Sequence, residues 1–170
     1  MIYPEPIKGH FVTLRSITLD DAEFSYNIRS DKNYSSVVGQ PAVSLEKQKQ
    51  FIEWQMKQPG DYYFVVLNKN GDRIGLTGVY DINGDMGEVG REVSYGNPCE
   101  TMETEILLNA FCRDVLHLKK VCYVVYMNNK KVLHMQEKNG MKPLKIIMRS
   151  GIKSAYYERD VGKDDAKIGK

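Results

Sequence analysis

Cysteine, histidine and tryptophan are scarce here: the 170 residues hold three, three and one of them, and no long apolar run. Cys99, Cys112 and Cys122 have none of the spacings that hold zinc and cannot all pair, which argues against a disulfide-stapled secreted scaffold. A reducing cytosol is the simplest home. His10, His117 and His134 are scattered and outline neither a metal set nor a catalytic triad. No stretch approaches the apolar length that spans a bilayer, and no apolar N-terminal run reads as a secretion signal. Charge of one sign is lacking too. With 24 basic and 22 acidic residues the net charge is +2, which gives no argument for nucleic acid or a membrane surface. The lysines that gather at 119–120, 130–131 and 142–145 sit at the ends of expected elements, where solvent takes them. Repeats and low-complexity segments are absent.

What is present is ordinary globular composition, 42% hydrophobic and 27% charged, enough for one folded domain over residues 1–161 with a polar tail at 162–170. Residues 10–17 alternate as a strand. Thr18 caps a first helix reaching Ser30, and residues 32–43, broken by Gly39 and Pro41, read as a loop. Ser44 caps a second helix that stops at Pro59 and Gly60. Residues 61–68 and 73–82 are strands joined by the Asn70-Gly71-Asp72 turn, and Asn83-Gly84-Asp85 repeats that device before a third strand at 87–95, giving an antiparallel meander. A long helix follows to about Leu118, then a strongly apolar strand at 119–127, which suits a parallel partner of the strand before the helix. A short helix at 130–138 and two closing strands at 144–148 and 155–161 complete a single mixed, mostly antiparallel sheet of about seven strands flanked by about four helices, an α/β (α+β) fold.

The junction after the third meander strand carries the most chemistry. Gly96 permits the turn, Asn97 is an N-cap, Pro98 suits the first helical position and Glu100 the third, so the helix opens with a capping box. Backbone N–H groups at such an opening form a natural seat for an anion, most often a phosphate.

The element order, with Glu88-Val-Gly-Arg-Glu-Val93, the segment from Asn129-x-x-Val132 to Gly140-Met141, and Leu14-Arg15, resembles the GNAT superfamily of acetyl-CoA-dependent N-acetyltransferases, in its ribosomal-protein and sugar-nucleotide amine branch. The resemblance implies a sheet whose fourth and fifth strands, as counted from residue 10, splay apart around the pantetheine arm of acetyl-CoA. On that pattern Val93, Ser94 and Tyr95 line the arm. The diphosphate rests at Cys99, Glu100, Thr101, Met102, Glu103 and Thr104, and Asn129 faces the cofactor. Glu88 takes the position of the base that accepts the amine's proton, and the N–H near Val93 that of the oxyanion donor.

Arg29, Asn33, Tyr34, Tyr80 and Glu92 are the acceptor-site candidates, with Glu92 alternating onto the same strand face as Glu88 and Gly90. Two positions depart from the family pattern. The phosphate loop reads PCETME, without glycine, and Gln136 stands where a thiolate-protonating tyrosine is common. The implied activity is acetyl transfer to a primary amine of a small molecule or a protein N-terminus by direct attack in a ternary complex. It involves acetyl-CoA but no metal, nucleic acid or membrane, in a cytoplasmic protein for which the resemblance allows a homodimer. The alternative is a non-catalytic acyl-CoA- or ligand-binding module on the same fold.

Overall fold

In chain order the elements are β1 (Ile7–Lys8), β2 (Thr13–Ser16), α1 (Ala22–Ser30), α2 (Leu45–Lys57), β3 (Tyr62–Leu67), β4 (Arg73–Asn83), β5 (Met86–Ser94), α3 (Pro98–Asp114), β6 (Lys120–Tyr126), α4 (Lys130–Lys138), β7 (Lys145–Arg149) and β8 (Ile152–Asp160). They come from a computed structural model, which describes residues 1–33 and 43–162. Most of the expected loop at 32–43, including Tyr34, and nearly all of the expected tail lie outside the described residues. The strands form one sheet of eight in the order β1-β2-β3-β4-β5-β6-β8-β7. Among the described residues β5 and β6 run parallel and the other neighbours are antiparallel.

β3 shows why the sheet has two covered faces. Its sequence YYFVVL is almost continuously buried. Successive side chains point to opposite faces, so Phe64 and Val66 join Leu108, Phe111 and Cys112 of α3, while Tyr63 and Val65 join Ala22, Ile28 and Ile52 of α1 and α2. Phe111 anchors the first cluster edge-on against the rings of Tyr3, Tyr62 and Phe64, at centroid distances of 4.9, 5.2 and 5.2 Å. α4 is amphipathic and lies more openly, packing Val132 and Leu133 against Val125, Ala155 and Tyr157.

The structure differs from the sequence reading in several places, each for a local reason. The described residues form eight strands instead of about seven, because β1 contributes only the pairs Ile7↔Leu14 and Lys8↔Thr13, too short to leave a periodic trace. β2 starts at Thr13, since the N–H groups of His10, Phe11 and Val12 turn to the carboxylate of Glu103 on α3. The first helix opens with a 3-10 turn at Leu19–Asp21. There the fully buried Asp21 accepts from Thr18 N–H, from Arg15 and from Arg73. Burial alone would raise the Asp21 pKa, but those donors outweigh it and hold the group at about 2. α3 ends at Asp114 instead of near Leu118, the chain reversing through His117 in the left-handed region (φ 55°) with Leu118 N–H on Cys112 O. Among the described residues no helix is long and apolar enough to cross a membrane.

Candidate active site

A seam opens in the middle of the sheet. β5 and β6 pair only at Met86↔Lys120, Gly87↔Val121 and Glu88↔Cys122. Beyond those rungs β5 stays with β4 as far as Ser94↔Gly75, and β6 stays with β8 as far as Tyr126↔Ser154. The two strands therefore part after Glu88, as expected, leaving a wedge whose near wall is the outer edge of β5.

The pleat decides which groups of β5 face the wedge. Tyr95 N–H donates to Ile74 O (2.7 Å), so Tyr95 and, two residues back, Val93 direct their backbone toward β4, while Ser94 between them directs its N–H and C=O to the open side. Val93 is packed on the α1–α2 face, and its carbonyl approaches Gly75 so closely that a Cβ there would lie 2.7 Å from it. Of the expected arm-lining residues, Ser94 thus presents its backbone to the gap. Val93 does not: its N–H faces β4, and the free N–H nearest to it on the open side is that of Ser94. Tyr95 is half-exposed, with its hydroxyl donating to Asp31 (2.7 Å).

β5 also carries a bulge. Between Leu76↔Val93 and Gly78↔Gly90 the strand holds one residue more than β4, and Arg91 takes a left-handed φ of 55°. An extra residue reverses the faces beyond it. Val89 accordingly packs with α3, whereas Val93 packs with α1 and α2. Glu92 is therefore not on the Glu88 face. It lies toward α3, lining a cavity with Glu105, Asn109, Tyr123 and Arg159. Burial pushes its pKa up, the charge of Glu105 adds to this and Arg159 partly offsets it. That position removes Glu92 from the acceptor candidates.

At the apex of the wedge stands Glu88, buried, on the last shared rung of β5 and β6. Its Oε1 accepts from the Tyr80 hydroxyl (3.3 Å) and from Arg149 Nη1, and its Oε2 accepts from Arg149 Nη2 (3.3 Å). Arg149 arrives from the end of β7, so the ion pair joins the two halves of the sheet across the seam. Tyr80 lies over Gly90, where any Cβ would strike its hydroxyl. Burial and the neighbouring Glu88 charge push the Tyr80 phenol well above its ordinary range.

Beside this group the Arg91 guanidinium stacks 3.9 Å from the Tyr80 ring centre and 5.2 and 5.3 Å from those of Phe51 and Tyr63. It is clamped by both oxygens of Asp61 at 2.6 and 2.9 Å.

A family profile described as an acetyltransferase (GNAT) domain matches residues 12–142. The chain belongs to the GNAT acetyltransferase family. Among solved structures it resembles apo FdhC, a nucleotide-linked sugar GNAT, at 17% identity and TM-score 0.79, covering 98% of each chain. A GCN5-related N-acetyltransferase from Brucella melitensis matches at 15% identity and TM-score 0.75, over 96% of this chain and 82% of that one. The spermidine N-acetyltransferase of Vibrio cholerae in complex with CoA and spermine matches at 19% identity and TM-score 0.72, over 89% and 96%. At these identities the likeness is one of fold. No curated protein matches the sequence.

In this GNAT chain the helix opening after β5 is more self-contained than a bare anion seat. Asn97 Oδ1 accepts from Glu100 N–H (2.9 Å), Glu100 Oε1 accepts from Asn97 N–H (3.0 Å) and Thr101 N–H is taken by Asn97 O. Thr104 donates its hydroxyl to Glu100 O, and the Thr101 hydroxyl meets that of Ser94 at 3.2 Å. Glu103 points away, holding His10, Phe11 and Val12, so its carboxylate is structural and not part of a phosphate seat. Cys99 and Met102 are exposed at the helix start.

Asn129 caps α4, its Oδ1 accepting from Val132 N–H (3.3 Å). Gln136 is half-buried on that helix. Arg29 is in the last turn of α1, and Asn33 donates its N–H to Asp31. Among the described residues, the hydrogen bonds and ion pairs of Glu88 go to Tyr80 and Arg149, not to Arg29 or Asn33. Tyr34 is outside the described residues. Of the side chains that the structure gathers here, sequence reasoning singled out Glu88 and Tyr80 but not Arg91, Asp61 and Arg149, whose partners lie 30 and 61 residues away. The available signals were slight: an arginine between Gly90 and Glu92 in a strand, and another just before the Ser150-Gly151 turn.

Proposed function

We propose that the protein is an N-acetyltransferase that moves the acetyl group of acetyl-CoA to a primary amine by direct attack in a ternary complex. The observation that carries this reading is the coincidence of three features: the parting of β5 and β6, the outward main chain of Ser94, and the buried Glu88 at the apex. The pantetheine arm would lie along β5 as an added partner for its unpaired edge, with Ser94 N–H and C=O as donor and acceptor. The diphosphate would sit near Cys99 to Thr101 at the start of α3, where the capping box supplies part of the local hydrogen bonding already. Asn129 would border the arm from the far wall.

Glu88 accepts a proton from the incoming ammonium, directly or through a water, and the neutral amine attacks the thioester carbonyl. The C–S bond breaks with CoA leaving as thiolate, a leaving group that does not require the tyrosine replaced by Gln136. The solved relative that holds CoA and spermine supports an acyl-CoA and an amine as the two substrates.

Calorimetry with acetyl-CoA, then a CoA-release assay over a panel of amines, tests this. Glu88→Gln is expected to keep acetyl-CoA affinity and lower kcat/KM by about 10²- to 10⁴-fold, the usual worth of a general base. Undiminished turnover in that variant would remove Glu88 from the role. The second reading, a non-catalytic acyl-CoA-binding module, is favoured by the capping box and by the occupation of Glu88 by Arg149. Tight binding with no turnover on any amine is its signature.

A further inference from the structure

The Glu88–Arg149 pair is unequal. The carboxylate side chain is 8% exposed and the guanidinium 39%, so a buried anion has its counter-ion at the mouth of the wedge. Arg149 is carried to that place by a tight hairpin, Arg149↔Ile152, whose two turn residues Ser150 and Gly151 have φ of 52° and 75°. Among the described residues Glu88 is the one carboxylate paired with it. The second guanidinium on this face, Arg91, is already held by both oxygens of Asp61.

An arriving amine is a cation at neutral pH. To reach Glu88 it takes the place of Arg149, whose guanidinium then loses its carboxylate partner, since Asp61 is committed to Arg91. A simple ammonium ion would leave Arg149 without a partner, and a polyamine would bring further positive charge to the same face. An acceptor carrying its own oxyanion a few bonds from the amine avoids both costs. Its ammonium pairs with Glu88 while its oxyanion takes the planar fork of Arg149, so two ion pairs replace one and no charge is stranded.

We infer that the acceptor is a zwitterionic amine, bearing a carboxylate or phosphate that binds Arg149 as the amine binds Glu88. This rests on the acetyltransferase reading and narrows its substrate class. The ammonium passes one proton to Glu88, the nitrogen bonds to the acetyl carbon, and the C–S bond breaks. The thiolate takes the second nitrogen proton through water, and the proton on Glu88 leaves to solvent as Arg149 re-pairs. The balance is ammonium plus acetyl-CoA to amide, CoA thiol and one proton.

The test uses the full chain and three probes built on the same two-carbon amine, β-alanine (carboxylate), 2-aminoethyl phosphate (phosphate) and ethanolamine (uncharged), with spermidine as a longer cationic probe. CoA release is followed after acetyl-CoA binding has been measured by calorimetry. One of the two anionic probes should exceed ethanolamine in kcat/KM by about 10- to 100-fold, and which one does so identifies the oxyanion. In Arg149→Gln that preference should collapse, chiefly through KM, and Arg149→Lys should restore part of it. The preference is a ratio within one preparation, so a loss of folded protein does not change it.

If ethanolamine or spermidine is the better acceptor, or if the ratio is unchanged in Arg149→Gln, the inference is overturned while the acetyltransferase reading stands. If acetyl-CoA does not bind, both fall.

Discussion

The Arg91–Asp61 clamp offers the sharpest test of how the site is held. Both side chains are largely buried, 17% and 9% exposed, and the pair is bidentate at 2.6 and 2.9 Å with the guanidinium stacked 3.9 Å from the Tyr80 ring centre. Removing one member leaves the other as an uncompensated buried charge, which costs about 3–5 kcal/mol. For a domain of this size each kcal/mol lowers Tm by ~2–4 °C, so Arg91→Met and Asp61→Leu should each melt roughly 6–20 °C below the parent. The double variant removes both charges together. It should therefore lose less than the sum of the singles by about 2–3 kcal/mol, a coupling a double-mutant cycle reads directly.

A further comparison isolates the bulge. Arg91 holds a φ of 55°, a conformation costing a residue with a Cβ about 1 kcal/mol relative to glycine. Arg91→Gly should thus be about 1 kcal/mol more stable than Arg91→Ala, although both remain below the parent. Urea titrations with unchanged m-values, alongside thermal melts, supply the numbers. Additive singles of under 1 kcal/mol each would mean that water already screens the pair, and the account of a clamp fixing Tyr80 would be wrong.

Two further predictions concern carboxylates that sequence reasoning placed near the cofactor or the acceptor. The Glu92 pKa is raised by burial and by Glu105, so its folded form favours the proton, and its contribution to stability is present at low pH and lost as pH rises. Glu92→Gln should therefore gain stability relative to the parent progressively between pH ~5 and ~8, and a gap between the two melting curves that does not widen with pH would contradict this. Glu103→Gln should cost about 1–2 kcal/mol, the discounted worth of charge-assisted bonds at a partly solvated site. It should speed amide hydrogen exchange at His10, Phe11 and Val12 specifically, leaving acetyl-CoA affinity unaltered, whereas a fall in that affinity would return Glu103 to the phosphate seat.

The parts of the molecule legible in the sequence are those whose physics is local. Asn97, Pro98 and Glu100 announce a helix start through backbone groups within one turn, and the reciprocal bonds at 2.9 and 3.0 Å are the ones that spacing predicts. Asn70-Gly71 and Asn83-Gly84 announce hairpins because glycine accepts the left-handed φ, here 81° and 61°, that such turns demand. The parallel β5–β6 pair also follows from local signals, a strand, a long helix and an apolar strand in succession, whereas its parting is implied only by the family resemblance.

What the sequence withheld depends on a single inserted residue. Val89, Gly90, Arg91, Glu92 and Val93 read as unbroken alternation, and nothing in their identities announces that Arg91 bulges. Yet the bulge exchanges the faces of everything after it. Glu92 moves from the acceptor face to the α3 face, Arg91 gains the aromatic box of Phe51, Tyr63 and Tyr80, and Val93 turns inward. The same displacement leaves Glu88 with Tyr80 and Arg149 as its close partners. Glu88 is thus paired with a guanidinium from the far edge of the sheet, a relation that appears only when β7 and β8 are folded back against β6.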